Sequence, residues 1–214
     1  MDEKRYSSVD TSEDMVSEAA SKAASEATYA HDDGRRYTYS DYMTWDDDER
    51  WELIDGVPFL MSAPTTRHQE ISGNLYFQLR SSLEGKPCKP FYAPSDVRLN
   101  ADTLDNTVVQ PDVYVLCDRG KLDKTGCKGA PDFVVEILSP STSSRDMYLK
   151  FDLYRQSGVR EYWIVEPDEK VISAHILSDE DYITRIYKET DKAPIHALDG
   201  CTIDLAEVFQ EWTE

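Results

Sequence analysis

The chain has 214 residues, 40% of them apolar, 11% aromatic and 30% charged, which excludes a fibrous or wholly disordered protein and suits one folded domain with a tail. Forty-two acidic against 23 basic residues leave a formal charge of −19, excluding any broad basic surface for polyanions. No apolar run approaches the ~18 residues of a membrane span, the acidic N-terminus lacks the features of a signal peptide, and Cys88, Cys117, Cys127 and Cys201 show neither a C-x-x-C pair nor zinc spacing, so the chain reads as cytoplasmic with free thiols.

Residues 1–36 are rich in Ser, Ala, Asp and Glu, and read as an acidic tail, disordered or weakly helical. Residues 37–214 read as a single folded domain. It opens at "YTYSDYMTW", where Thr38 or Ser40 can cap a short helix. "RWELIDGVPFLMSAP" follows, two apolar runs about Asp55-Gly56, a hairpin signal. "TTRHQEISGNLYFQLRSSLEG" predicts a helix with His68, Ile71, Leu75 and Leu79 on one stripe and Gly85 as its stop. "FYAPSDVRLN", "TVVQPDVYVLCD" and "PDFVVEIL" read as strands. "STSSRDMYLKFDLYRQSG" then reads as a helix with Ser or Thr caps and a glycine stop. "EYWIVEP", "KVISAHIL" and "DYITRIYKE" close the run as strands, and "LAEVFQEW" as a terminal helix. Helices set among many strands give an α/β domain built on a mixed sheet.

Glu136 stands inside the apolar run of residues 133–138 with no basic neighbour, and a buried carboxylate needs a partner. A helical projection of residues 146–155 puts Met147, Leu149, Phe151, Leu153 and Tyr154 on one apolar arc with Lys150 near its centre. Such a lysine snorkels outward, forms one structural ion pair, or serves a site. Two further carboxylates favour a site. Asp112 stands at the entrance of a strand, and Glu52 alternates between Trp51 and Leu53. Three carboxylates and a lysine suit a divalent metal and phosphodiester hydrolysis.

Together "RWELIDG", "QPDVYV", "DFVVEILSPST" and "YLKFDLYRQSGVREYWIVEP" resemble the Uma-type putative restriction endonucleases of the PD-(D/E)XK nuclease superfamily, over residues 37–177. The resemblance implies a restriction-endonuclease-like fold, a mixed central β-sheet flanked by helices, here with an added N-terminal hairpin and C-terminal strands. It implies magnesium or manganese held by Asp112, Glu136, the backbone carbonyl of Ile137 and Glu52, with Lys150 as the catalytic lysine. One departure is plain: the position two after the glutamate, where the superfamily places its lysine, is Leu138.

Other residues carry lesser expectations. Asp132 also follows a proline, but four strand residues, about 13 Å, separate it from Glu136, too far to share a metal. Asp146 is expected as a helix-end or i, i+4 partner of Lys150. His68, Asp96 and Tyr154 are expected around the site rather than in it.

The expected activity is metal-dependent hydrolysis of DNA by a homodimer, since double-strand cutting wants two sites and C-terminal strands can pair across subunits. Charge argues the other way, because removing residues 1–50 (14 acidic, 6 basic) still leaves 28 acidic against 17 basic, a net −11. Two alternatives follow: a non-cutting binding or regulatory module that keeps the fold, and a small nucleotide phosphoesterase.

Overall fold

A computed structural model describes residues 34–46, 48–139 and 149–212. Most of the expected tail, the Ser and Thr caps at 141–144, and Asp146 lie outside them.

Residues Tyr39–Tyr42 form one helical turn, α1. Thr38 and Asp41 cap it reciprocally, side chain to backbone in both directions. Strands β1 (Trp51–Ile54) and β2 (Val57–Leu60) make the expected hairpin. Asp55 and Gly56 turn it at φ 51° and 75°, the left-handed pair that a two-residue loop requires. Gly56 is needed twice over, because a Cβ there would lie 2.9 Å from the Tyr37 carbonyl oxygen. Helix α2 (Thr66–Ser82) starts at its cap Thr65 and fully buries Ile71, Leu75 and Leu79, as their spacing predicts.

Then come β3 (Lys89–Tyr92), β4 (Asp96–Arg98), β5 (Val108–Val109), β6 (Val113–Leu116), β7 (Gly126–Lys128) and β8 (Phe133–Ile137). Helix α3 (Phe151–Ser157) leads to β9 (Glu161–Glu166), β10 (Val171–Ser178) and β11 (Asp181–Lys188). The short pair β12 (Lys192–Pro194) and β13 (Thr202–Asp204) precedes α4 (Leu205–Val208).

The strands form a five-stranded sheet, β2-β1-β5-β4-β7, a six-stranded sheet, β11-β10-β9-β8-β6-β3, and the pair β12-β13. Both larger sheets are mixed, β4 with β7 and β8 with β9 being parallel. The parallel step from β8 to β9 requires a crossover, and α3 lies in that connection. Alternation along β8 decides which face each residue joins: Phe133, Val135 and Ile137 pack with α2, while Val134 packs with Tyr154 of α3. Glu136 shares the parity of Val134 and faces α3.

Three expectations need correction. Residues 91–100 and 107–118 each read as one strand, yet each divides between the two sheets. Pro94 and Pro111 stand at the breaks and offer no N–H to continue a ladder. Second, among the described residues of the expected helix, Leu149 and Lys150 are π-helical and the α-helical part runs from Phe151. A 100° projection fails across such geometry, so Leu149 is 48% exposed instead of joining the apolar arc. Third, the four cysteines are not all free thiols. Cys88 and Cys117 form a disulfide, while Cys127 and Cys201 are buried and free. Extending the Lys89↔Leu116 pairing of β3 with β6 by one residue sets the two cysteines opposite each other, a proximity that no sequence spacing announces.

His175 on β10 is buried among Phe151, Tyr162 and Tyr182, and its Nδ1 lies 2.8 Å from Thr184 Oγ1. Burial lowers its pKa from 6.5 to about 4. Below pH 6.5 the unfolded chain therefore takes up a proton that the folded chain refuses until about pH 4, so stability falls as pH drops through that window. We expect urea unfolding at pH 5 to show a loss of about 1 to 2 kcal/mol relative to pH 7 that is absent from His175→Gln. The same pH response in both proteins would refute this assignment.

Candidate active site

The site forms where the chain passes from one sheet to the other, between β5 and β6. In the six-stranded sheet Val113 pairs with Val135, and the next step of that register sets Asp112 opposite Glu136. The backbone N–H of Ile137 donates to Asp112 Oδ2 at 2.8 Å, which fixes the carboxylate against β8. From the other sheet, Glu52 on β1 accepts from the backbone N–H of Gln110 at 2.9 Å. The connection Gln110-Pro111-Asp112 thus ties both strands' carboxylates to one short stretch of chain.

Lys150 closes the arrangement. Its Nζ donates to Glu52 Oε1 at 2.9 Å and to Glu136 Oε1 at 2.8 Å. All three are buried, at 0% exposure for Glu52, 4% for Glu136 and 2% for Lys150. Tyr154, one turn beyond Lys150, donates its hydroxyl to the same Glu136 oxygen at 2.7 Å. Burial first, then the Glu136 and Glu52 charges, hold the Tyr154 pKa well above the usual phenol value, so the hydroxyl keeps its proton and remains a donor. The π-helical geometry before α3 matters here, since Lys150 is the residue at which it meets the helix.

His68, near the start of α2, brings Nε2 within 3.0 Å of Asp112 Oδ2. A carboxylate that already accepts from Ile137 leaves Nε2 as the protonated nitrogen. Its Nδ1 is buried without a hydrogen-bond partner among the described residues. Asp96 stands one residue further out: Gln110 Nε2 donates to Asp96 Oδ1 at 3.1 Å, while Tyr39 and Tyr42 donate their hydroxyls to the same carboxyl group. Burial raises the pKa of Asp96, and it pushes the Tyr42 phenol up to about 12.

Sequence reasoning missed Arg50 and Gln110. Arg50 precedes Glu52 by two positions and so leaves the strand on the same side, a period-two signal that was available. Gln110 gave no signal, because its role rests on contacts 60 positions away with Arg50. Asp132, by contrast, binds the Cys117 N–H and Arg160 and takes no part in lining the site.

A cavity of about 300 Å³ gathers Glu52, Asp112, Glu136, Ile137 and Lys150 with Arg50 and His68 on its walls. Among the described residues no three His, Cys, Asp or Glu side chains are set as a ready metal cage, since Lys150 occupies the space between the two glutamates. The donor set nonetheless fits a hard cation. Carboxylate oxygens from three segments face one cavity, and Glu52 Oε2 is buried with no hydrogen-bond partner among the described residues, an oxygen with a coordination position to spare.

Comparison with known proteins gives matching results. A family model described as putative restriction endonuclease, Uma2, matches residues 39–206. The uncharacterized protein slr1290 of Synechocystis sp. is 28% identical over 162 residues, 74% of this chain and 84% of that protein. A crystal structure titled as a putative nuclease belonging to DUF820, from Anabaena variabilis, superposes with a TM-score of 0.66 at 17% identity, covering 81% of this chain and 97% of that one. That likeness establishes the fold as nuclease-like. Among the described residues no helix is long and apolar enough to cross a membrane.

Proposed function

Since the chain belongs to the Uma2 family of putative restriction endonucleases, we propose that it is a metal-dependent endonuclease that hydrolyses DNA phosphodiester bonds, with magnesium or manganese as cofactor. The observation that carries this reading is the meeting of Glu52, Asp112, Glu136 and Lys150 in one cavity, from β1, the β5–β6 connection, β8 and the start of α3.

Asp112, Glu136, the Ile137 carbonyl and Glu52 would hold the metal, which supplies Lewis acidity toward a phosphate oxygen and lowers the pKa of water. His68 and the Ile137 N–H keep the Asp112 carboxylate in one orientation. Tyr154 does the same for Glu136. Lys150 orients the attacking water and stabilises negative charge developing on the phosphate.

One observation favours the second reading, a module that keeps the fold without cutting: Lys150 is already neutralised between two buried glutamates. Digestion of supercoiled plasmid separates the two. The nuclease reading expects nicked or linear product with manganese and none with a chelator. Protein that leaves plasmid intact with either metal favours the module.

We also propose a homodimer. One edge of the six-stranded sheet is β11, with Ile183 56% and Ile186 57% exposed, a surface suited to pairing across subunits. Light scattering on the same preparation should give twice the chain mass. A monomer overturns the dimer.

A further inference from the structure

The acidic cavity wall contains a cation that the catalytic set does not use. Arg50 lies two residues before Glu52 and shares its side of the strand. Its Nε and Nη2 both donate to one atom, Gln110 Oε1, at 3.1 and 2.7 Å. No carboxylate among the described residues stands within ion-pair distance of it. Lys150 differs: its charge is balanced by Glu52 and Glu136.

Gln110 is itself held on every side. Its backbone N–H donates to Glu52 Oε1, and its Nε2 donates to Asp96 Oδ1 and to the Tyr42 hydroxyl, each at 3.1 Å. These partners settle which end of the amide is which. Oε1 must face the guanidinium, which can only donate, and Nε2 must face the Asp96 carboxylate. The result is a guanidinium fixed in place by a neutral acceptor. Among the described residues two of its five N–H groups are engaged, three are left, and no carboxylate cancels its charge. Buried ion pairs elsewhere in this site neutralise their cations; here an amide stands where a carboxylate would have done so.

We propose that Arg50 receives the phosphate oxygens of the substrate, presented for that task by Gln110 acting as its positioning residue. The planar fork of an arginine matches two oxygens of a phosphate, which a point charge cannot do. This inference rests on the phosphodiester reading above and deepens it. A chain of net charge −19 thereby engages a phosphate through an uncompensated cation inside the cavity, not through a basic face.

The test is calorimetric titration of the full chain with inorganic phosphate in magnesium buffer. Wild type should bind saturably. Arg50→Met should weaken binding about ten- to a hundredfold, the range of one charge-assisted hydrogen-bond set. Arg50→Lys keeps the charge and loses the fork, and should fall between them, which guards against a folding defect in the first variant. Absence of binding in wild type, or equal binding in all three proteins, overturns the proposal. Plasmid cleavage separates the two ideas. Phosphate binding through Arg50 with no metal-dependent cleavage refutes the nuclease reading and leaves an anion site. Cleavage with KM unchanged in Arg50→Met refutes the role of Arg50 and leaves the nuclease.

Discussion

Glu136→Ala is expected to abolish saturable manganese binding and to lower plasmid cleavage at least about a thousandfold, the scale set by losing several kcal/mol of Lewis-acid stabilisation. Asp112→Ala should do the same. Glu136 is 4% exposed and faces the cavity from the C-terminal end of β8, so alanine there removes a hard oxygen donor and supplies no replacement. The fold should survive. Lys150 keeps Glu52 as partner at 2.9 Å, and the Tyr154 hydroxyl loses one acceptor, so the thermal midpoint falls without loss of cooperativity. Calorimetry and circular dichroism on one preparation read both quantities. Undiminished manganese affinity in a folded Glu136→Ala protein would remove the metal role of this residue.

Lys150→Met separates structural from catalytic duties, and the two are expected to move in opposite directions with metal. Without metal the variant leaves Glu52 and Glu136 buried and unbalanced, which should destabilise the fold by about 3 to 5 kcal/mol. A divalent cation binding between the carboxylates restores the balance. Manganese should therefore raise the melting temperature of Lys150→Met by more than that of wild type, because ligand binding to the native state adds stability and affinity rises once the competing ammonium is gone. Turnover should nonetheless drop about a hundred- to a thousandfold, as happens when one preset donor to developing charge is lost. Full turnover in the variant would confine Lys150 to a structural ion pair. A melting temperature that manganese leaves unchanged would show that the two glutamates do not hold the metal.

Much of the site was legible because it depends on short-range regularities. Alternation along residues 133–137 exposes Glu136 as the one polar side chain in a buried strand, and the spacing after it isolates Lys150. The hairpin at Asp55-Gly56 and the buried stripe of α2 follow from turn chemistry and a period of 3.6, which need no distant partner. Leu149 escaped the same logic because π-helical geometry breaks the projection at Lys150 itself.

Local regularities specified the inventory: most strands and helices of the domain, an acidic chain, a carboxylate inside an apolar run, a lysine inside an apolar arc, and two further acids with the right chemistry. Tertiary structure alone decided how they meet. Glu52 and Lys150 are 98 positions apart and belong to different layers, Cys88 joins Cys117 across a ladder, and Arg50 reaches Gln110 over 60 positions. Local periodicity is written in each segment because backbone geometry repeats every two or 3.6 residues. Which segments pack together depends on the division of residues 107–118 between two sheets at Pro111, and on buried charges finding opposite charges only when the whole fold encloses them.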